Sequence, residues 1–326
     1  MTTPDSLRAL RPANAVKRLG DNPALLLSGL SIQRALTEAS SRLPVFELAS
    51  VGTEARGLLR AAQHLDVAIG LAFRPRLDAQ ARPFGDFVRD VLRAADIIGF
   101  RHPILLSAGP LYLSSLDAPS IDALEQHIFE AVDAGFTDIS IAPSGKLDRD
   151  AVVQALAPAA RQLSERGLLL ELALPITAEA REWQASCQRF GVAVEVFSSS
   201  EQAGERGLVD PPAAWGLRPR DAQLPDAFDL RVSRLTLDPF SEIALQVLQD
   251  DVRDEIDEHC SHGFRLTDVL GLKSGELDAL DEASATWIES NVHGYAMELF
   301  EALSVQGSAD IVRRFLRDRG EGAFDL

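Results

Sequence analysis

Three carboxylates offer the first candidate chemistry. Glu47, Glu171 and Glu195 each interrupt a short apolar run, in VFELA, LLELA and AVEVF. A buried carboxylate without a partner is costly, so each of them needs one. An arginine such as Arg74 would form a buried ion pair, whereas Mg²⁺ or Mn²⁺ would bind the carboxylate oxygens directly. Ion pairing is the favoured interpretation, and the alternative is a metal or acid–base site with Glu47 as the catalytic group.

The segment APSGKLD, residues 142–148, offers anion binding. Ser144, Gly145 and the backbone N–H groups that begin the next helix could hold a phosphate, with Lys146 as its counter-charge. In the alternative interpretation this is an ordinary turn in which Asp148 caps that helix. A Schiff-base role for Lys146 is the weaker catalytic hypothesis, because such a lysine normally projects from within a barrel strand.

Further polar residues lie where apolar runs end. Arg74, Ser107, Gly109 and Ser198 occupy such positions, and the loops after the strands of α/β barrels carry the ligand-binding groups. We therefore predict that these four residues contact a ligand. The six histidines fall instead on predicted helices, before strands or in the C-terminal part: His64, His102, His127, His259, His262 and His293. A zinc site is not expected, and no cofactor is predicted beyond the Mg²⁺ or Mn²⁺ of the alternative.

The elements that must position these residues alternate between strands and helices. Apolar runs suited to strands recur eight times: ALLLSG (24–29), PVFELAS (44–50), DVAIGLAF (66–73), PILLSAG (103–109), TDISIAP (137–143), LLLELALP (168–175), VAVEVFSS (192–199) and DLRVSRLTL (229–237). Amphipathic helix patterns separate most of them, which indicates parallel pairing. We predict a (β/α)8 TIM barrel, with an open doubly wound sheet as the alternative. The Gly109–Pro110 pair should end the fourth strand.

The domain organisation follows from where strand patterns begin and stop. We predict an N-terminal arm over 1–22, the barrel over 23–239 and an all-helical extension over 240–326. The loop 199–229 is long enough to be a lid. The extension carries more large apolar side chains than one barrel face should cover, namely Trp287, Tyr295, Met297, Leu299 and Phe300. It therefore predicts a homo-oligomer or a partner subunit bound through the helical tail.

Composition excludes several classes of function. The formal net charge of −17 disfavours nucleic acid as a partner, because phosphate backbones require clustered basic residues. No apolar run approaches the roughly 20 residues of a membrane span, and the first residues lack the apolar core of a signal peptide. The two cysteines, Cys187 and Cys260, are far apart, which is typical of a reducing compartment. We predict a cytoplasmic protein that does not bind membranes.

A stretch of the sequence resembles a known family. From PVFELASVGTEARG through the FGDFV helix, LLSAGP and AGFTDISIAPSG to RGLLLELALP, the chain resembles the class II aldolase barrels. It is most similar to the non-catalytic subunit of tagatose-bisphosphate aldolase, and Glu47 lies where the family carries a second-strand glutamate. The resemblance covers about residues 44–175. It implies a TIM barrel that acts on, or binds, sugar phosphates.

The departures from the family fall on its chemistry. Where the family has Gly-Asp-His-Leu-Gly-Pro, with an acid and a metal-binding histidine, this chain has Ser107-Ala108-Gly109-Pro110. A Zn²⁺ enediolate mechanism needs both groups. The favoured hypothesis is therefore a pseudoenzyme, a non-catalytic phosphosugar-binding, scaffold or regulatory subunit. The alternative is a carbon–carbon lyase, or another phosphosugar enzyme, with a site rebuilt from Glu47, Arg74, Lys146 and serines.

Overall fold

Parallel strand pairing organises the chain in a computed structural model, which describes residues 5–41, 43–48, 51–73, 83–174, 180–192, 194, 196–199, 234–237, 240–264 and 266–318. The eight strands are β1 (Leu25–Leu26), β2 (Leu43–Glu47), β3 (Ile69–Phe73), β4 (Pro103–Leu113), β5 (Asp138–Pro143), β6 (Leu169–Leu174), β7 (Val196–Ser199) and β8 (Arg234–Leu237). Each of the eight predicted runs overlaps one of these strands, so the existence of the eight strands is confirmed.

The strands form one curved sheet with the order β7-β6-β5-β4-β3-β2-β8. Its two end strands, β7 and β8, approach within 8 Å of each other at their Cα atoms. Helices alternate with the strands: α4 (Thr53–His64), α5 (Phe84–Ile98), α6 (Ala118–Ala134), α7 (Arg149–Glu165) and α8 (Ala180–Arg189). The fold is therefore a TIM-barrel-like α/β fold, as predicted.

The first predicted strand does not belong to the barrel wall, which corrects our expectation for residues 24–29. β1 has only two residues and pairs off the main path with the start of β4, where Leu25 opposes Pro103. The chain then enters helix α3 (Gly29–Glu38), and β2 takes the place beside β8. The run is apolar because it is buried under the barrel, and burial alone does not distinguish a wall strand from a floor segment.

Alternation along the strands separates two apolar clusters. Residues such as Phe46 and Leu106 face the surrounding helices, whereas Val45 and Leu105 face inward. The inward cluster continues into α3 and into the last helix, α14 (Ser308–Asp318), through residues such as Val312. These two helices therefore close the floor of the barrel, opposite the carboxyl ends of the strands.

The N-terminal arm packs onto the barrel's helical layer. It contains α1 (Asp5–Arg8) and α2 (Ala13–Leu19). The amide of Asn14 on α2 donates to the carbonyl oxygens of Val132 and Phe136, at 2.9 and 2.8 Å. These carbonyls lie on either side of the C-terminal end of α6, where Gly135 takes the left-handed conformation expected of a helix C-cap.

After Leu237 the described residues contain helices and no strand. They are α9 (Ser241–Leu245), α10 (Asp250–Ser261), α11 (Leu266–Leu272), α12 (Ser274–Asp278), α13 (Glu282–Ala302) and α14. The longest of them, α13, packs along α4. The two helices approach closely at Gly57, where an added Cβ would lie 2.5 Å from the carbonyl oxygen of Glu289. The all-helical character predicted for the extension is confirmed for the described part.

The barrel itself covers most of the tail's large apolar side chains. Phe300 is fully buried and packs edge-on against Phe46 of β2, with ring centroids 5.9 Å apart. Leu299 is also buried, whereas Trp287 is 39% exposed. Self-association through the tail stays a prediction. Of the five apolar side chains on which it was based, Trp287 is the exposed one. None of the helices that the structure describes is long and apolar enough to span a membrane.

Candidate functional site

The inner face of the barrel carries a row of polar side chains. Strand register places Glu47 beside Ala72, Ala72 beside Ser107, and Ser107 beside Asp138. Neighbouring strands lie about 4.8 Å apart, so Glu47 and Ser107 are separated by roughly 10 Å along the sheet. Glu171 of β6 lies one layer higher, next to Ser140. The structure thus brings Ser107 and Asp138 together and leaves Glu47 two strands away.

Glu47 is buried as the sequence predicts, with 3% of its surface exposed, and Glu171 is 1% exposed. Both have interaction partners. Because Phe46, Leu170 and Leu172 belong to the outer cluster, alternation directs both carboxylates into the barrel, from two different strands. Arg74 and Glu195 lie outside the described residues. Whether Glu47 serves in an ion pair or as a catalytic group stays a prediction.

The fourth strand does not end at Gly109–Pro110, which is the main correction to the predicted site. β4 runs on to Leu113, across a cis Gly109–Pro110 bond, and its register with β5 shifts between Ala108 and Leu111. Gly109 has a φ of +125°, and a Cβ there would collide with the carbonyl oxygen of Ser140. Only glycine fits this close approach, which lets the strand bulge and continue.

Ser107 is consequently a mid-strand residue, not a loop residue. It is fully buried on the inner face. Within the described part of the chain its Oγ has no hydrogen-bond partner. An unsatisfied buried hydroxyl is uncommon, and it marks a place where water or a ligand atom would be stabilised. Gly109 contributes backbone to the same face and no side chain.

Tyr112 is a candidate functional residue that the sequence analysis missed. Its neighbours Leu111 and Leu113 are buried against the outer helices, whereas Tyr112 lies on the opposite face and is 45% exposed. It opposes Ala142 of β5, near the carboxyl end of both strands. The apolar–polar alternation in PLYL was the available signal, but it has meaning only if the strand continues past Pro110.

The Ser144–Lys146 loop lies beside Tyr112. Ser144 donates its backbone N–H to the carbonyl of Leu113 at 2.9 Å, which ties the end of β5 to the end of β4. Ser144 is half-buried, and Gly145 and Lys146 are exposed. An exposed loop lysine lacks the desolvated surroundings of a Schiff-base lysine, which disfavours that role. Its place at the barrel mouth suits a counter-charge for a bound anion.

The helix cap proposed as the alternative function of this segment is present. The Asp148 carboxylate accepts a hydrogen bond from the backbone N–H of Ala151 at 2.9 Å, at the start of α7. One of the amide groups that a phosphate could use is therefore occupied by an anionic side chain. An anion at Ser144–Lys146 would have to depend on Lys146 and the loop amides more than on the helix terminus.

The zinc ion that the family resemblance implies does not fit the residues present. All six histidines lie among the described residues, and none is at a carboxyl strand end: His64 ends α4, His102 precedes β4, and His127, His259, His262 and His293 lie on or directly after helices of the outer layer and tail. In the described ranges no group of three or more His, Cys, Asp or Glu side chains could hold a metal ion. The chain offers no histidine ligands for zinc at the mouth.

Two predicted contacts can be placed only in part. Ser198 lies on β7 in register with Ala173 of β6, on the strand that follows Glu171. Its side chain, and residues 200–229 of the predicted lid, lie outside the described residues. The described wall of the site therefore consists of β2 to β6 and the loops that follow β4 and β5.

Comparison with known proteins finds solved structures with a similar fold. No protein-family model and no curated protein matches this sequence. Solved structures do: the YdjI aldolase of Escherichia coli K12 has a TM-score of 0.57 at 13% identity, covering 87% of this chain and 100% of that one. The chain has an aldolase-like fold. A fructose-bisphosphate aldolase of Campylobacter jejuni is similar too, with a TM-score of 0.54 at 13% identity, covering 87% of this chain and 96% of that one.

Proposed function

We propose that this aldolase-like barrel is a non-catalytic subunit that binds a phosphorylated sugar, in the manner of the non-catalytic subunit of tagatose-bisphosphate aldolase. The carrying observation is β4, where the segment that ends in Ser107-Ala108-Gly109-Pro110 stands in place of the Gly-Asp-His-Leu-Gly-Pro of metal-dependent aldolases and supplies neither an acid nor a histidine. A shared fold does not carry activity with it, because activity depends on the groups at the site. The protein would then act as a binding, scaffold or regulatory component in the cytoplasm.

The remaining polar groups suit binding better than metal-assisted chemistry. Ser107 Oγ is buried and unpaired among the described residues, so it can accept or donate a hydrogen bond to a ligand hydroxyl. Lys146 supplies an exposed positive charge at the mouth. Arg74, which follows β3, is proposed as a second contact for the anion, and Ser198 as a further hydroxyl. A sugar phosphate combines the two chemistries that these residues recognise.

A specific observation favours a second candidate, an enzyme with a rebuilt site. Glu47 and Glu171 are both buried on the inner face of the barrel, the side on which an enzyme of this fold class would carry an acid–base group. In that case Glu47 would exchange a proton with the ligand, and a divalent cation such as Mg²⁺ or Mn²⁺ would need ligand atoms beyond the described side chains, among which no metal-binding group occurs. Glu47→Gln separates the two candidates, because it should abolish any turnover while leaving anion-driven stabilisation in place.

A thermal-shift titration of the full chain with ketose phosphates, inorganic phosphate and sulfate tests the proposal. Mass action should stabilise the fold by about 2.7 kcal/mol at a hundredfold excess over the dissociation constant. Lys146→Ala should remove the shift without changing the unliganded melting temperature, because an exposed lysine adds little to stability. Lys17→Ala, an exposed lysine on the N-terminal arm, is the matched control.

Cleavage of a ketose bisphosphate should be absent with and without added Zn²⁺, and protein purified without chelator should hold no stoichiometric zinc. Turnover that depends on Glu47 would replace the proposal with the second candidate. A complete absence of stabilisation by every phosphate compound tested would leave only the scaffold role.

A further inference from the structure

Two histidines meet at the contact between α4 and α13. His64 is the last residue of α4, and His293 lies in the middle of α13. Their rings are roughly parallel, with centroids 6.1 Å apart and an angle of 23° between the planes. His64 is exposed and His293 is half-buried. The pair therefore joins the barrel to the helical tail at a place that solvent protons can reach.

The ion pairs beside this ring contact leave an excess of positive charge. Glu289, one turn before His293, accepts from the Arg56 guanidinium at 2.8 Å and lies 2.5 Å from that of Arg60. One carboxylate thus faces two guanidinium groups, which leaves one positive charge in excess while both imidazoles are neutral. Protonation of His64 and His293 would raise this excess to three positive charges.

The helices are too close at this contact for water to separate their charges. An added Cβ at Gly57, two turns before His64, would lie 3.1 Å from the backbone nitrogen of His293 and 2.5 Å from the carbonyl oxygen of Glu289. The backbones therefore touch, and this contact fixes the distance between the two imidazole rings. A rigid contact cannot relax by a small shift when like charges appear across it.

Charged groups on the neighbouring elements are partly engaged with one another. α5 packs against α4, and α9 packs against α13. Arg89 pairs with two carboxylates of its own helix, and Arg313 donates to Asp66 at 2.6 Å. The charged groups that these elements bring are Asp86, Arg89, Asp90, Arg93 and Asp96 on α5, Glu242 on α9, and Asp66 directly after α4.

The protonation of His293 is disfavoured in the folded state. Burial lowers the pKa of His293 from its ordinary value of 6.5, and the charges of His64 and Arg60 lower it as well, although Glu289 opposes the shift. The unfolded chain therefore binds this proton more readily than the folded chain does. The stabilisation that neutral His293 provides is fully present above about pH 6.5 and is lost as the pH falls below it.

We propose that the His64–His293 pair makes the attachment of the helical tail to the barrel sensitive to pH. The two neutral rings pack against each other at neutral pH, and in mild acid both gain a proton and repel each other across the contact. Ile288 and Val292 remain fully buried on the same helix, so acid weakens the attachment in a graded way and does not release α13. The pair acts independently of any ligand at the mouth.

Urea denaturation of the full chain at about pH 7.5 and about pH 5, in low salt, tests the proposal. Two unit charges at this separation repel by an amount that corresponds to about a threefold change in an equilibrium constant even in bulk water. His64→Gln and His293→Gln should therefore each reduce the acid-induced loss of folding by about that factor or more. His127→Gln on α6, an exposed histidine outside this contact, is the matched control and should behave as the wild type.

The double variant separates a coupled pair from two independent histidines. Because either single substitution already removes the repulsion, His64→Gln combined with His293→Gln should gain clearly less than the sum of the two single effects. The contribution of His102 is present in every variant and cancels in the comparison. Additive single effects would overturn the proposal.

Salt and a ring titration give two further readouts. In about 1 M NaCl the screening length is roughly 3 Å, shorter than the distance between the rings, so the wild type should lose less stability in acid than it does in low salt. An NMR titration should show a higher pKa for His293 in the His64→Gln variant than in the wild type. An acid response that salt leaves unchanged, or a pKa of His293 that does not depend on His64, would overturn the proposal.

Discussion

Two regions of the molecule differ in how closely their residues are packed. One is the contact between α4 and α13, and the other is the mouth of the barrel. At the helix contact, Gly57 allows backbone to approach backbone, Phe300 is fully buried, and the Arg56 guanidinium donates to the Glu289 carboxylate at 2.8 Å. At the mouth, the described residues are small, polar or half-exposed. Close packing therefore limits which residues can stand at the helix contact. The fold places few such limits on the residues at the mouth, so ligand binding can determine them.

This difference predicts whether a substitution changes stability or ligand affinity. A change at the helix contact should alter stability and leave ligand affinity unchanged. A change at the mouth should do the reverse.

Phe300→Ala should lower the free energy of unfolding by about 3–5 kcal/mol, the usual cost of deleting a fully buried phenylalanine ring. The ring packs against Phe46, which itself stacks on Phe240 with centroids 5.6 Å apart, so the cavity would open between tail and barrel. Urea denaturation measures the loss. Trp287→Ala, on the same helix but 39% exposed, is the control and should cost far less. Similar losses for the two would mean that the tail does not share the barrel's core.

Gly57→Ala should destabilise the fold by about 1–3 kcal/mol, as overpacking does in a close-packed interior. Its Cβ would lie 2.5 Å from the backbone oxygen of Glu289, which cannot rotate away as a side chain could. Gly294→Ala on α13 is the matched control, because a Cβ there meets nothing within 4 Å. The control should be neutral or stabilising by up to about 1 kcal/mol, since alanine favours helix. Equal melting temperatures for the two variants would contradict the close approach.

The same division explains how much of the fold could be predicted from sequence. Strands and helices followed from apolar runs and amphipathic periodicity, because burial of those side chains is what forms the elements. The place of β1 did not follow. ALLLSG has the composition of a wall strand, and only the competition with β2 for the position beside β8 puts it on the floor. Strand existence is a local property, whereas strand position depends on the whole sheet.

The site could be predicted where a local rule applied. The Asp148 cap follows from residue type and spacing, and the absence of histidine from the strand ends follows from their positions along the chain. Tyr112 was missed because Gly109–Pro110 usually ends a strand. The strand continues because Gly109 can approach the Ser140 carbonyl closely. That tolerance comes from a neighbouring strand and is not encoded near residue 110.

Acidification should loosen the floor of the barrel at His102. Its Nδ1 lies 2.9 Å from the Asp66 carboxylate, which also accepts from Arg313 of α14 at 2.6 Å. Burial lowers the pKa of His102 from its ordinary value of 6.5, although Asp66 opposes the shift. The folded state thus binds this proton less readily than the unfolded state does. The contribution of neutral His102 to the free energy of unfolding is therefore fully present above about pH 6.5 and decreases as the pH drops below it.

The slope from this one group cannot exceed about 1.4 kcal/mol per pH unit. His102→Asn keeps a donor for Asp66 but does not titrate, so its stability should depend less on pH between 6.5 and 5 than that of the wild type. Denaturation midpoints at several pH values measure the difference. Identical pH profiles would show that His102 is not the group responsible.

Asp148 connects the two sides of the comparison, because it stabilises a helix and lies at the mouth. Asp148→Ala removes the bond to the Ala151 N–H and should cost about 1 kcal/mol, as the loss of a helix N-cap usually does. Asp148→Asn keeps an acceptor for the same N–H and should cost almost nothing. It also removes a negative charge two residues from Lys146, so inorganic phosphate should bind the asparagine variant more tightly than it binds the wild type. Thermal denaturation with and without phosphate measures both effects on the same samples. If the asparagine variant gains no affinity for phosphate, the anion does not bind near Lys146. If the asparagine variant loses as much stability as the alanine variant, the cap depends on the charge of Asp148 and not only on its oxygen.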